Sequence, residues 1–318
     1  MDRLQADGHT LTGEYGDRVA VLLSTYRAGP FLKELLESLW AQDYQSAQFR
    51  VRDDGSGDET AHVVREQLSG RADASLVVGE HLGPGQSFLA LLAEAASDPA
   101  VGYAAFCDQD DVWLPGKLSA AVEALREVRG PALYCAAVEL VGPELSRLKV
   151  HRRCTRGPSF ANALVENIAT GCTIVLNRPG MDLVSSCTPL DFIMHDAWCY
   201  LVIAGCGTVV YDPRPRVLYR LHGSNAVGVG ATPWAEWLGR LRRHFSEDHL
   251  GALTRQAREL ERLHRGDLKP GAAHCLEEFL SAQSRLGSRL WYAINGSAHF
   301  QRHLDSALYR LAYATYRP

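Results

Sequence analysis

The sequence contains no CxxC pair and no cysteine–histidine cluster at zinc spacing, although it has eight cysteines, at 107, 135, 154, 172, 187, 199, 206 and 275. Several lie inside apolar runs, so they read as reduced core residues, not as a metal or disulfide framework. Glycine loops of the GxGxxG and GxxxxGK[ST] types are missing, which removes two common backbone cradles for dinucleotides and nucleoside triphosphates. Basic charge is not in excess either. A formal net charge of -4 provides no field of the kind that drives non-specific nucleic-acid binding, so nucleic acid is not an expected partner. The longest nearly apolar run, 201–211, has two glycines and reaches about half of the roughly 20 residues that a spanning helix requires. The polar stretch 1–17 lacks the charged start, apolar segment and cleavage site of a secretory leader, so the chain is expected in the cytoplasm.

What is present is enough apolar residue, 46% of 318, to bury a substantial core. Short apolar runs at 19–24, 49–53, 75–78 and 103–107 predict buried strands. Segments with helical apolar spacing follow them, from Pro30 and over 58–68, 87–97 and 117–128. Further strands are expected at 132–141, 173–177, near Thr208 and near Val217, with a helix from about Asp191. Such alternation implies a mainly parallel sheet covered on both faces. From Trp234 onward the pattern is helical, which divides the chain into a tail at 1–17, a main domain at 18–229 and a helical region at 230–318. Residues 234–245 combine Trp237, Leu238, Leu241 and Phe245 with three arginines. That pattern fits either a packed amphipathic helix or a peripheral membrane contact.

In open α/β sheets ligands bind beyond the carboxyl ends of the strands. The residues found there are Ser24-Thr25-Tyr26-Arg27, Asp53-Asp54-Gly55-Ser56 and Asp108-Gln109-Asp110-Asp111. Three carboxylates within four residues repel one another unless a cation or hydrogen-bond donors compensate, and a divalent ion is the economical compensation. The alternative for Asp111 is a cap on the following helix. The 53–64 segment is not an EF-hand loop, because Gly55 and Val64 stand where oxygen ligands are required. Ser56 and Glu59 have capping-box spacing. Asp54 is left to accept the imide N–H of a uracil or thymine, and Tyr26 to stack on that base. Phosphate charge then falls to a metal and to basic side chains such as Arg220. His222 is a candidate metal or phosphate ligand, and Asp196 a candidate general base.

With these residues assembled, the chain resembles the family-2 glycosyltransferases of the GT-A fold over roughly 18–228, and within them the rhamnosyltransferase-like branch. The resemblance implies a Rossmann-like, mainly parallel sheet with helices on both faces, plus a C-terminal helical extension. It puts Ser24, Thr25 and Tyr26 on the first-strand motif, Asp54 on the base, Asp108 toward the ribose and Asp110 on a Mg²⁺ or Mn²⁺ ion joined by His222. Asp196, preceded by His195 where glutamate is usual, falls on the base of an inverting mechanism. The branch implies dTDP-L-rhamnose as donor, with UDP-hexoses as the alternative, and a glycan or glycolipid acceptor. Arg27 stands where asparagine is frequent, and His81-Leu82-Gly83 replaces a common Asn-Lys-Gly. Two rival readings are a sugar nucleotidyltransferase, which would need a glycine- and arginine-rich loop after the first strand, and a non-catalytic carbohydrate-binding scaffold.

Overall fold

A computed structural model describes residues 16–151, 154–222, 247–282 and 286–315. The 234–245 segment and the boundary expected at 229 lie outside them, as does nearly all of the expected tail.

The first half alternates strand and helix: β1 (Arg18–Thr25), α1 (Leu32–Trp40), β2 (Ala47–Asp53), α2 (Thr60–Gln67), β3 (Ala74–Val78), α3 (Pro84–Ser97) and β4 (Val101–Cys107). Each helix presents one apolar stripe, as in α1, where Leu32, Leu35, Leu36 and Leu39 recur at one-turn spacing and are buried. All seven residues of β4 are buried, as a central strand covered on both faces requires. Next come β5 (Val112–Trp113), α4 (Lys117–Arg126), β6 (Ala132–Val141), β7 (Arg147–His151) and α5 (Phe160–Ala163). A 3-10 turn, β8 (Val175–Asn177), α6 (Arg178–Ser185), α7 (His195–Cys206) and β9 (Thr208–Arg220) complete the sheet region.

The strands form one sheet in the order β3-β2-β1-β4-β8-β6-β9-β5, with β7 added on β6. The long registers, β1 with β2 and β4 and β6 with β9, are parallel. The antiparallel pairings of β8, β5 and β7 are short. Two details depart from the sequence reading. The strands expected near Thr208 and Val217 are one strand, whose register with β6 shifts between Ala136 and Val138, opposite the stretch that contains Pro213 and Pro215. Proline has no N–H to give to a ladder, so the strand continues past a local irregularity. The strand expected over 173–177 begins only at Val175, because 171–173 forms the 3-10 turn.

One face of the sheet packs α1, α2 and α4 through Leu36, Val64 and Val122. The other packs α3, α6 and α7 and receives the C-terminal helices α8 (Glu247–His264), α9 (Pro270–Ser281), α10 (Leu286–Asn295) and α11 (His303–Thr315). Leu260, Leu276 and Phe279 of α8 and α9 share one core with Trp198 and Ile203 of α7. The helical extension therefore shares its core with the sheet region.

Candidate active site

The chain leaves β1 toward β2 on one side and returns to β4 on the other, so the ends of β1 and β4 flank the point where the strand order reverses. Two loops meet there and are joined through Gln109. Its side-chain carbonyl accepts from the Tyr26 N–H (2.8 Å), and its amide donates to the Tyr26 carbonyl (3.1 Å). The residue between the two aspartates thus ties the acidic loop to the first-strand loop. Arg27 adopts φ +45°, a conformation that asparagine tolerates better than most non-glycine residues, and its N–H donates to Ser56 Oγ at 2.9 Å. That contact occupies Ser56, whose N–H and hydroxyl also donate to Asp53. The capping box expected of Ser56 and Glu59 is consequently absent. Glu59 is itself the first-turn boundary residue, without a side-chain cap.

Asp54 is 1% exposed at the cavity wall and is a hub. It pairs with Arg52, accepts from the Leu82 and Gly83 N–H groups (2.9 and 2.8 Å), and lies 3.0 Å from His81 Nδ1. Its acceptor positions are therefore already answered, and of its two side-chain partners Arg52 is buried and His81 is half exposed. The His81 ring also lies 4.4 Å from the Tyr26 ring, on the surface expected to stack a base. Gly55 turns the chain here at φ +75°. A Cβ in its place would sit 3.1 Å from the His81 backbone nitrogen, so both conformation and space call for glycine.

The acidic loop divides its carboxylates between two sides. Asp108 and Asp110 line the cavity, and Asp110 Oδ2 is 2.8 Å from His222 Nε2. Burial, followed by the charges of Asp111, Asp110 and Asp196, pushes the Asp108 carboxyl well above the usual carboxylate range. Asp111 points away. It is fully buried, accepts from the Arg220 N–H (3.0 Å), and is pushed up to about 7 by burial and by Asp110. It does not cap α4, which starts six residues later at Lys117. Arg220 is also placed differently from the sequence expectation. Its guanidinium is 1% exposed, donates to the Asp110 carbonyl (2.9 Å) and to the Pro143 carbonyl, pairs with Glu34, and lies 4.3 Å from the Phe31 ring centroid. It clamps the acidic loop from behind and is not part of the cavity lining. Thr25 is likewise buried behind the wall, donating to Asp53 at 3.1 Å, whereas Ser24 reaches the lining.

A divalent ion finds two donor sets here. Asp110 and His222 bring an oxygen and an imidazole nitrogen together at the cavity surface, with Asp108 in the same lining. Asp108, Asp111 and Cys172 also lie within 4.8 Å of one another. Burial holds the Cys172 thiol well above its ordinary value, so it stays protonated and is a poor ligand for a hard cation. The Asp110–His222 set fits Mg²⁺ or Mn²⁺.

Asp196 stands in the first turn of α7 and lines the same cavity of about 610 Å³. His195 before it is packed between Phe88 and Phe106, with ring centroids at 4.0 and 4.9 Å, and neither ring nitrogen has a hydrogen-bond partner. Burial pushes it down to about 4. Gly171 makes room for this packing, since a Cβ there would lie 3.1 Å from His195 Nε2 and 3.6 Å from Asp196 Cβ. The loop leading into α7 is held by α8: the Leu190 N–H donates to Glu259 (2.7 Å) and the Ile193 N–H to Gln256 (3.0 Å). Sequence reasoning missed Gly171, Gln256 and Glu259; Gln256 is buried beside Leu253 and Leu260 of α8, and a lone glutamine in a helical run carries no signal of a distant loop. It also missed His151, Val138, Leu140 and Tyr219, which line the same cavity.

Comparison with known proteins bears on the family and the fold. The family model described as "Glycosyl transferase family 2" matches residues 20–179, half of the chain. The chain is 25% identical over 235 residues to the dTDP-rhamnosyl transferase RfbG of Shigella flexneri, covering 70% of this chain and 80% of that one. It is 31% identical over 222 residues to an uncharacterized glycosyltransferase of Nostoc sp., covering 65% and 66%. Among solved structures, S. aureus TarS 1-349 in complex with UDP-GlcNAc aligns over 93% of this chain and 90% of that chain, with a TM-score of 0.58 at 15% identity. That likeness extends the shared fold into the C-terminal helices. The chain belongs to glycosyl transferase family 2 and is a glycosyltransferase of the GT-A fold.

Proposed function

We propose that the chain is a metal-dependent, inverting glycosyltransferase that moves L-rhamnose from dTDP-L-rhamnose to a hydroxyl of a glycan or glycolipid precursor. The observation that carries the reading is a single cavity lined by Tyr26, Asp54, Asp108, the Asp110–His222 pair and Asp196. The base stacks on Tyr26 and is read beside Asp54, with His81 yielding its place on both. Asp108 lies toward the ribose. Asp110 and His222 hold Mg²⁺ or Mn²⁺, which supplies Lewis-acid stabilisation of the leaving diphosphate. Asp196 accepts the acceptor hydroxyl proton as that oxygen bonds to the anomeric carbon and the bond to the diphosphate breaks, which inverts the centre. His195 takes no part as base, because a group held near 4 by burial is neutral and weakly basic at working pH.

The 25% identity to a dTDP-rhamnosyl transferase supports the donor. UDP-hexoses are the alternative, since uracil and thymine show the same edge to Asp54 and the TarS likeness includes a UDP-GlcNAc complex. A thermal-shift and turnover screen tests this. dTDP-β-L-rhamnose should stabilise the protein and be consumed in the presence of Mn²⁺, whereas turnover of UDP-glucose or UDP-galactose without dTDP-rhamnose would overturn the donor assignment.

A further inference from the structure

Asp54 can take a new hydrogen-bond donor only by giving one up. An ionised carboxylate offers about four lone-pair sites. On Oδ1 they go to the Arg52 guanidinium and to the Leu82 N–H (2.9 Å), and on Oδ2 to the Gly83 N–H (2.8 Å) and to His81 Nδ1 (3.0 Å). Three of these four are fixed by the fold. Arg52 is buried and is itself held by Ser87 Oγ (3.1 Å) and the Glu80 carbonyl (2.8 Å). The Leu82 and Gly83 donors are backbone groups at the entry to α3, and the Gly79 N–H ties the start of the same loop to the Asp53 carbonyl (2.9 Å). The fourth belongs to a half-exposed side chain, which can leave by rotating about its own bonds with no movement of the backbone. An imide N–H that bonds to Asp54 therefore takes the place of His81.

The same ring covers the second base contact. Its centroid is 4.4 Å from that of Tyr26, with the planes inclined at 33°, and both side chains line the cavity. A planar ring that lies against Tyr26 while presenting an N–H to Asp54 is what a uracil or thymine would present there. His81 supplies both features from within the chain.

We infer that His81 is an internal stand-in for the nucleobase, and that its displacement sets the affinity of the donor site for pyrimidine nucleotides. This rests on the glycosyl-transfer reading above, which puts the base on Tyr26 and Asp54. A ring that leaves the subsite free for only a fraction of the time raises the observed dissociation constant by the inverse of that fraction. The partners of the His81 ring are Tyr26 and Asp54, neither of them a metal residue in that reading, so the competition falls on the base and spares the diphosphate. It acts equally on the donor and on the nucleoside diphosphate left after transfer, and the weaker hold on the latter eases product release.

The test measures binding of dTDP, UDP and inorganic pyrophosphate by calorimetry, with the full chain and excess Mn²⁺, for the wild type, His81→Ala and His81→Asn. Pyrophosphate occupies the metal end without a base. The ratio of its dissociation constant to that of dTDP, taken within each protein, cancels any change in the metal site. That ratio should rise about three- to tenfold in His81→Ala, which removes both contacts, with UDP changing in step. His81→Asn loses the ring and keeps a hydrogen-bonding amide, so its ratio should rise as well, by a smaller factor. A substitution that merely loosened the loop would weaken nucleotide binding, and so would loss of a histidine that packs on the bound base. An unchanged or lower ratio in both variants therefore overturns the proposal while leaving glycosyl transfer intact. Failure of the wild type to bind either nucleotide would instead overturn the reading on which it rests.

Discussion

His195 should make the protein sensitive to acid in a way that one substitution removes. Its ring is 4% exposed between Phe88 and Phe106, and its nitrogens have no partner to stabilise an added proton. Burial therefore depresses it from 6.5 to about 4. Because the folded value is the lower one, the unfolded chain takes up this proton first as pH falls. Its contribution is present in full above about pH 6.5, is lost progressively below that, and levels off below about 4. At about 1.4 kcal/mol per unit, the linkage amounts to roughly 2 kcal/mol by pH 5 and roughly 3 kcal/mol at its limit.

The assay is urea unfolding of wild type and His195→Phe at pH 7.5, 6.5, 5.5 and 5. Phenylalanine keeps an aromatic ring in the sandwich and cannot titrate. Any packing offset is the same at every pH. The buried carboxyls of Asp108 and Asp111, whose raised values act in the opposite sense, contribute to both proteins and cancel in the difference. The variant should gain about 2 kcal/mol on wild type between pH 7.5 and pH 5. Two curves that stay parallel within about 0.5 kcal/mol would show that His195 is hydrated or paired in solution, and the reasoning from its burial would fail.

Asp196→Asn should keep donor-induced thermal stabilisation and lose about 10² to 10⁴ in turnover, the usual worth of a general base, and NMR of the wild-type product should show inverted anomeric configuration. Near-wild-type turnover in that variant, or retention in the product, would count against the mechanism. Excess EDTA should abolish activity and Mn²⁺ should restore it, with His222→Ala needing more metal for half-maximal rate; full activity in EDTA would remove the metal from the mechanism. Arg220→Met leaves the Asp110 and Pro143 carbonyls without this donor, while the partly exposed Glu34 is taken up by water, so chemical denaturation should register a loss of about 2 to 4 kcal/mol, at roughly 1 to 3 kcal/mol for each acceptor left unsatisfied. Gln256→Ala, far along the chain from the loop it holds, should lower kcat more than it raises the donor KM, because the Ile193 N–H that it anchors leads into the turn bearing Asp196.

What the sequence made legible, and what it hid, follows from which interactions leave a periodic trace. The runs at 132–141 and 103–107 could be placed as strands because a central strand must be apolar on both faces, and β6 has the expected bounds. Edge strand β7 left no such trace. Arg147, Lys149 and the exposed Leu148 and Val150 are what a strand looks like when, among the described residues, it pairs with one neighbour alone. The cavity residues Tyr26, Asp54, Asp108 and Asp110 could be picked out by the strand-end rule, which says where the ends converge but not which way a side chain turns once there, whereas Asp196, at a helix start, is reached through the family resemblance. Arg220 and Asp111 show the difference. Both follow or flank strands as a ligand-binding residue would, yet Asp111 accepts from the Arg220 N–H and the Arg220 guanidinium donates to the Asp110 carbonyl behind the loop, and nothing in residue type separates a cation that meets a diphosphate from one that meets a carbonyl. Ser56 and Glu59 fail for a related reason: capping-box spacing is satisfied locally, but Asp53 and the Arg27 N–H compete for the same hydroxyl and win it. Contacts of side chain to distant backbone, such as Gln109 to Tyr26 or Gln256 to Ile193, set the geometry of this site while adding neither apolar period nor charge to the sequence. Substitutions at Gln109 or Gln256 should therefore disturb catalysis at positions that composition and motif alone would treat as neutral surface.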